Sequence, residues 1–223
     1  PVYNLRQVVI VTGCHTVGED AMPTSTFFRL PEEKRKRLTE AAWDEFTKVG
    51  FSAASINKII QEAHIPRGSF YQYFADKEEL FRYLLGDMRT YFMGVLRDIL
   101  EQTGGDLFSV PLAAFDRFIN RSGSTDPALR RCIQVMRLNK SMDIQWLLDD
   151  RRCLLTGELL HLAKLSRLRE QDGQYVNNVF FLLVASLAVA IMETLRRPEE
   201  WEEQRKLLQS RVEIVKCGST REE

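Results

Sequence analysis

Residues 65–81 read "IPRGSFYQYFADKEELF". Five aromatic residues (Phe70, Tyr71, Tyr73, Phe74 and Phe81) crowd around one glycine and one proline. Pro66 pushes Ile65 out of the helical region and is itself pre-set for the first position of a helix. Immediately upstream, Ser55 is placed to cap "INKIIQEA", in which Ile56, Ile59, Ile60 and Ala63 recur at helical spacing. His64 falls at the left-handed turn position, where glycine is easiest and histidine is tolerated. Two short helices joined by so tight a turn make a helix-turn-helix.

Phe70 and Phe74, four residues apart, share the face that packs on Ile59, Ala63 and Phe46. Arg67, Ser69, Tyr71, Gln72 and Tyr73 fall on or near the remaining surface. A tyrosine ring can lean on a core edge while its hydroxyl reaches a phosphate. Gly68 lets the backbone approach a partner closely. In the next helix Asp76 is the expected N-cap and Glu79 the reciprocal acid of a capping box. Lys77 sits in the first turn, where the helix dipole disfavours a cation by about 0.3–1 kcal/mol. An anionic partner such as DNA phosphate offsets that cost.

Working outward, an all-α chain is expected. Leu38, Ala42 and Phe46 lie four apart, with Gly50 as the stop of that helix. Downstream, apolar spacing runs through Tyr91, Phe92, Leu96 and Leu100 to the Gly104–Gly105 break. Further helices are expected over Leu107–Asn120, Asp126–Asn139, Ile144–Arg169, Tyr175–Arg197 and Glu199–Lys216. The domain plan is a leader at 1–29, irregular; a helix-turn-helix domain at 30–76; a larger helical domain at 77–216; and a disordered tail at 217–223. "VVIVTGCHTVGED" (Val8 to Asp20) has the look of a nucleotide-binding opening. Its two glycines match neither phosphate-loop pattern, so it reads as irregular leader. Met22 offers an alternative start, which would make the first 21 residues an upstream extension.

Lys+Arg and Asp+Glu number 31 each, so any basic surface must be local. The four cysteines and three histidines show no zinc spacing and fit a reduced cytoplasmic setting, with no cofactor or metal implied. The most apolar run, Val179 to Met192, is shorter than the roughly 20 residues a membrane span needs, and reads as a buried core helix. No convincing signal peptide precedes it.

From Ala41 to Phe81, "AAWDEFTKVGFSAASINKIIQEAHIPRGSFYQYFADKEELF" resembles the DNA-binding domain of TetR-type transcriptional regulators, most strongly over "GSFYQYFADKEELF". The resemblance implies three N-terminal helices that bind DNA and a larger helical domain that dimerises and holds a small-molecule effector. Arg67, Gly68, Ser69 and Gln72 match positions facing the major groove. Tyr71, Tyr73, Lys77 and Ser55 match phosphate contacts. Lys34, Arg35, Lys36 and Arg37 match the basic lead into the first helix. Pro66, His64 and Ile60 depart from the usual Ser or Thr, Gly and Ala.

The segment Tyr175–Arg197 is apolar nearly all round and matches the family's penultimate helix. It implies a four-helix dimer interface with Leu182, Ser186, Val189 and Glu193 on one element and Trp201, Leu208 and Val212 on the other. A two-fold dimer reads two half-sites about 34–36 Å apart or a multiple, hence a homodimer on a palindromic operator. Phe92, Met93, Met136, Trp146, Phe180 and Phe181 are candidate lining for an apolar or amphipathic effector. A repressor released by that effector is the expected function. An activator, a co-repressor-dependent regulator and a helical small-molecule-binding protein are the alternatives.

Overall fold

The computed structural model describes residues 23–120, 123–139 and 157–221. Its helices are α1 (Ser25–Phe28), α2 (Glu32–Ala53), α3 (Ile56–Glu62), α4 (Arg67–Tyr73), α5 (Lys77–Gln102), α6 (Val110–Phe118), α7 (Pro127–Leu138), α8 (Gly157–Leu162), α9 (Gly173–Arg196) and α10 (Trp201–Ser219). Short 3-10 turns at Leu107–Ser109 and Pro198–Glu200 lead into α6 and α10. Among the described residues there is no strand, only isolated bridges from Ile119 to Thr125 and from Leu168 to Thr220. The fold is all-α, with the helix-turn-helix near the N-terminus.

The chain divides into two compact units. One comprises the described parts of His15–Tyr91 and Pro127–Asp149; the other comprises Phe92–Asp126 and the described part of Asp150–Glu223. The division thus falls within α5, beyond residue 76, where the sequence alone places the end of the first domain.

α7 joins the N-terminal unit because its side chains are complementary to α2. Arg131 forms a two-pronged ion pair with Glu40, and its guanidinium lies 6.0 Å from the centroid of Trp43. At the far end, Gly50 has φ +75, and a Cβ there would lie 3.2 Å from Leu138 Cβ. The stop at Gly50 is therefore a real break, although helical residues resume to Ala53. The N–H of Phe51, just past the break, donates to Asn139 Oδ1 at 2.9 Å.

Two aromatic clusters fill this unit. Phe46, Phe51 and Phe81 form one, with Phe46 and Phe81 centroids 4.7 Å apart. The other gathers Phe74 and Tyr83 around Phe27, whose ring is fully buried, 4.8 Å from Phe74 and 5.1 Å from Tyr83. Burial pushes the Tyr83 hydroxyl pKa up, assisted by Asp87 and opposed by Arg35. Residues 25–28, expected as irregular leader, are a helical turn locked into the core. Thr24 N–H also bonds Tyr73 O at 3.1 Å. The stretch Val8 to Asp20 and Met22 lie outside the described residues.

In the second unit, α9 buries Val176, Val179, Phe180, Leu183, Leu187, Ala190 and Ile191 along one side. Asp172 caps it, accepting from the N–H groups of Gln174 and Tyr175 at 3.0 Å each. α10 packs on α9 through Leu208 and Val212, and Arg205 pairs with Asp116 of α6 at 2.6 and 2.7 Å.

The helix expected to reach Arg169 stops at Leu162. There Lys164 N–H bonds Gly105 O at 2.8 Å, and Arg169 N–H bonds Ser219 O at 2.9 Å. Those tertiary partners take the backbone groups that a continued helix would have used. The same contacts order residues 217–221, expected as disordered tail: α10 extends to Ser219, and Arg221 Nε donates to Leu168 O at 3.1 Å.

Candidate nucleic-acid interface

The turn between α3 and α4 follows the chemistry of its residues. His64 adopts φ 53, as expected of the left-handed position. Pro66 stands at the N-cap with extended ψ rather than in the first helical position, and Arg67 opens the helix. Phe70 and Phe74 are completely buried with Ile59, Ala63 and Phe46. That anchored face leaves Arg67, Gly68, Tyr71 and Gln72 exposed and Ser69 half-buried.

Gly68 has no neighbour within 4 Å of the place a Cβ would occupy, and its φ is not positive. Nothing in the fold calls for glycine there, and glycine lowers helix stability relative to alanine.

Tyr71 is 47% exposed, its ring edge-on to Phe70 at 5.3 Å. Tyr73 differs: it is buried at 8% exposure and packs at 6.3 Å from Phe27. The expectation that both tyrosines stand outward fails for Tyr73 because α1, unrecognised in the sequence, covers it.

Lys77 also differs from expectation. Its ammonium donates to Ala54 O at 2.9 Å and Ser52 O at 3.3 Å, and lies 4.8 Å from the Phe51 centroid. The cation at the start of α5 thus satisfies terminal carbonyls of α2, where negative dipole charge gathers. The capping box forms from Asp76 and Glu79 as expected, with only its return bond displaced by one residue. Asp76 Oδ1 accepts from Glu79 N–H at 2.8 Å, while the Glu79 carboxylate reaches back to Ala75 N–H.

Ser55 occupies the N-cap of α3, but its hydroxyl makes no capping bond. Its own N–H donates to Glu45 Oε1 at 3.0 Å, and Lys58 lies 3.9 Å from the same carboxylate. In the basic lead, Lys34, Lys36 and Arg37 are exposed. Arg35 is half-buried, donating to Phe28 O at 3.3 Å.

One residue had no sequence signal. Asn57, in the first turn of α3, accepts from Arg67 Nη1 at 2.7 Å, and Arg67 lies 6.0 Å from the Tyr71 centroid. An exposed Asn at an apolar helix's start reads as ordinary solvated surface; only the turn geometry brings the two together.

Residues 38–84 match the family model described as "Bacterial regulatory proteins, tetR family". The transcriptional regulator AcuR of Cereibacter sphaeroides is 32% identical over 124 residues, covering 55% of this chain and 54% of AcuR. Residues 38–84 are thus a DNA-binding domain of the TetR type. The chain matches only about half the length of that curated relative. Two solved structures share the fold. The TetR-family transcriptional regulator SCO4454 of Streptomyces coelicolor gives a TM-score of 0.62 at 18% identity, over 88% of this chain and 94% of its own. SmeT, the repressor of the Stenotrophomonas maltophilia multidrug efflux pump SmeDEF, gives 0.56 at 19% identity, over 86% and 94%.

Of the six residues expected to line a pocket, Phe92, Met93, Phe180 and Phe181 fall in the second unit. Phe180 is buried and Phe92 stacks edge-on with Phe118 at 5.5 Å, whereas Phe181 is 58% exposed. Met93 is half-buried, Met136 belongs to the other unit on α7, and Trp146 lies outside the described residues.

The expected interface set is likewise divided. On α9, Leu182 and Val189 are exposed, and Ser186 and Glu193 are half-buried. On α10, Leu208 and Val212 are buried within the chain and Trp201 is half-buried, while Leu207 and Ile214 face outward at 42% and 70% exposure. α10 thus carries apolar residues on both the face buried in the chain and the face turned outward.

Proposed function

We propose that the protein is a ligand-responsive transcriptional regulator: a homodimer that represses by occupying a palindromic operator and is released by a small apolar or amphipathic effector. The observation that carries this reading is the exposed strip Arg67, Gly68, Tyr71 and Gln72 on a helix anchored by buried phenylalanines. It has the residue types that read base edges and phosphates, and its glycine has no structural reason. Lys34, Lys36 and Arg37 supply further cations.

Dimerisation is supported by the apolar residues that α9 and α10 leave uncovered: Phe181, Leu182, Val189, Leu207 and Ile214. So much apolar surface on two adjacent helices marks an interaction site. α9 is long and apolar enough to cross a membrane, but it buries a continuous stripe against its own chain. We assign it to a cytoplasmic dimer.

The effector is supported by fold likeness to SmeT, of which a triclosan complex is known. Effector binding in the larger unit would favour a state in which α5 swings and separates the recognition helices. A coupling of about 1–3 kcal/mol would weaken operator binding by roughly 5–150-fold. The test is selection of bound sequences from random duplex DNA by the full chain, followed by salt titration of the winner. A two-fold symmetric motif with a steep salt slope is expected; absence of any enriched motif contradicts operator binding.

A further inference from the structure

We infer that Asn57 is a positioning residue that fixes Arg67 to read one guanine in each half-site, an inference that rests on the operator-binding reading above. Arg67 opens α4 and is exposed. An arginine at such a place ordinarily samples many rotamers, and ordering it on DNA opposes binding. Here the guanidinium is held from two sides. Nη1 donates to Asn57 Oδ1 at 2.7 Å, and the group lies 6.0 Å from the ring of Tyr71, one turn further along the same helix.

The choice of nitrogen matters. With Nη1 turned to Asn57, the Nε–H and Nη2–H edge remains as a planar two-donor fork. In the major groove, guanine O6 and N7 present two adjacent acceptors, the match for such a fork, whereas adenine replaces one acceptor with a donor. Asn57 belongs to α3 and Arg67 to α4, so the bond spans the turn at His64–Pro66. The orientation of the fork is therefore tied to the angle between the two helices.

The experiment is parallel selection from random duplex DNA with the full-length wild type, Asn57→Ala, Asn57→Asp and Arg67→Ala. Wild type is expected to enrich a two-fold motif with a G·C pair at one position per half-site. Arg67→Ala should abolish that preference. Asn57→Ala should weaken it by about 5-fold or more, leaving other positions and the salt slope unchanged, since no charge is lost. Asn57→Asp keeps the acceptor and should keep the guanine preference, with lower overall affinity from phosphate repulsion. Both side chains are exposed, so thermal unfolding of the variants should match wild type.

An Asn57→Ala profile identical to wild type, or a uniform loss across all positions, overturns the positioning role. A wild type that enriches no motif overturns the operator-binding reading itself, and this proposal with it.

Discussion

The ammonium of Lys77 lies 2.9 Å from the carbonyl oxygen of Ala54, so the first residue of α5 closes the end of α2. Charge-assisted bonds to chain-terminal carbonyls of this kind contribute about 1–2 kcal/mol when partly shielded from water. Lys77→Met should therefore lower the unfolding temperature by roughly 2–8 °C. The operator-binding salt slope should stay nearly unchanged. A slope reduced by about 0.9 would instead identify Lys77 as a direct phosphate contact.

Two glycines should respond to alanine in opposite ways. Gly50 has φ +75, and a methyl group there would meet Leu138 Cβ at 3.2 Å and Leu138 O at 3.3 Å. Gly50→Ala should cost about 1–3 kcal/mol by denaturant unfolding. Gly68→Ala, in open helical surroundings, should leave stability equal or raise it by up to about 0.5 kcal/mol. It should nonetheless weaken operator binding, and equal operator affinity would remove the close-approach role.

Phe27 lies upstream of the helix-turn-helix yet is completely buried. Phe27→Ala should destabilise the chain by about 3–5 kcal/mol, the usual cost of emptying a buried aromatic site. A chain beginning at residue 30 should show a similar loss in urea titration.

The outward apolar residues of α9 and α10 give a prediction about assembly. Val189→Asp or Ile214→Asp should convert a dimer to a monomer in light scattering, because a charge buried in an apolar interface lacks a partner. Helical content should persist. A dimer unaffected by either change would place the interface elsewhere.

Burial pushes the Cys132 thiol up to about 11, so almost none of it is thiolate near neutral pH. At pH 8, peptide mapping after brief treatment with a thiol reagent should find Cys217, which is exposed, labelled well before Cys132. Raising the pH through 10 to 11 should speed the reaction of Cys132, as its thiolate population grows.

The local signals are legible because their physics is local. A proline restricts its own backbone and its neighbour's, so the turn at His64–Pro66, the anchoring Phe70 and Phe74, and the exposed Arg67, Gly68, Tyr71 and Gln72 follow from spacing alone. Asp76 and Glu79 act within one turn of each other, so their capping pair is legible to within one residue for the same reason. What the sequence hides depends on partners far along the chain. Tyr73 is buried because Phe27 covers it, and Lys77 turns inward because the end of α2 offers carbonyls. α7 joins the N-terminal unit because Arg131 meets Glu40, 91 residues away. Asn57 acquires a role only because the turn brings Arg67 within 2.7 Å. Periodicity identifies which residues can share a face, but α9 and α10 carry apolar residues on more than one. There the tertiary packing alone decides which face is buried.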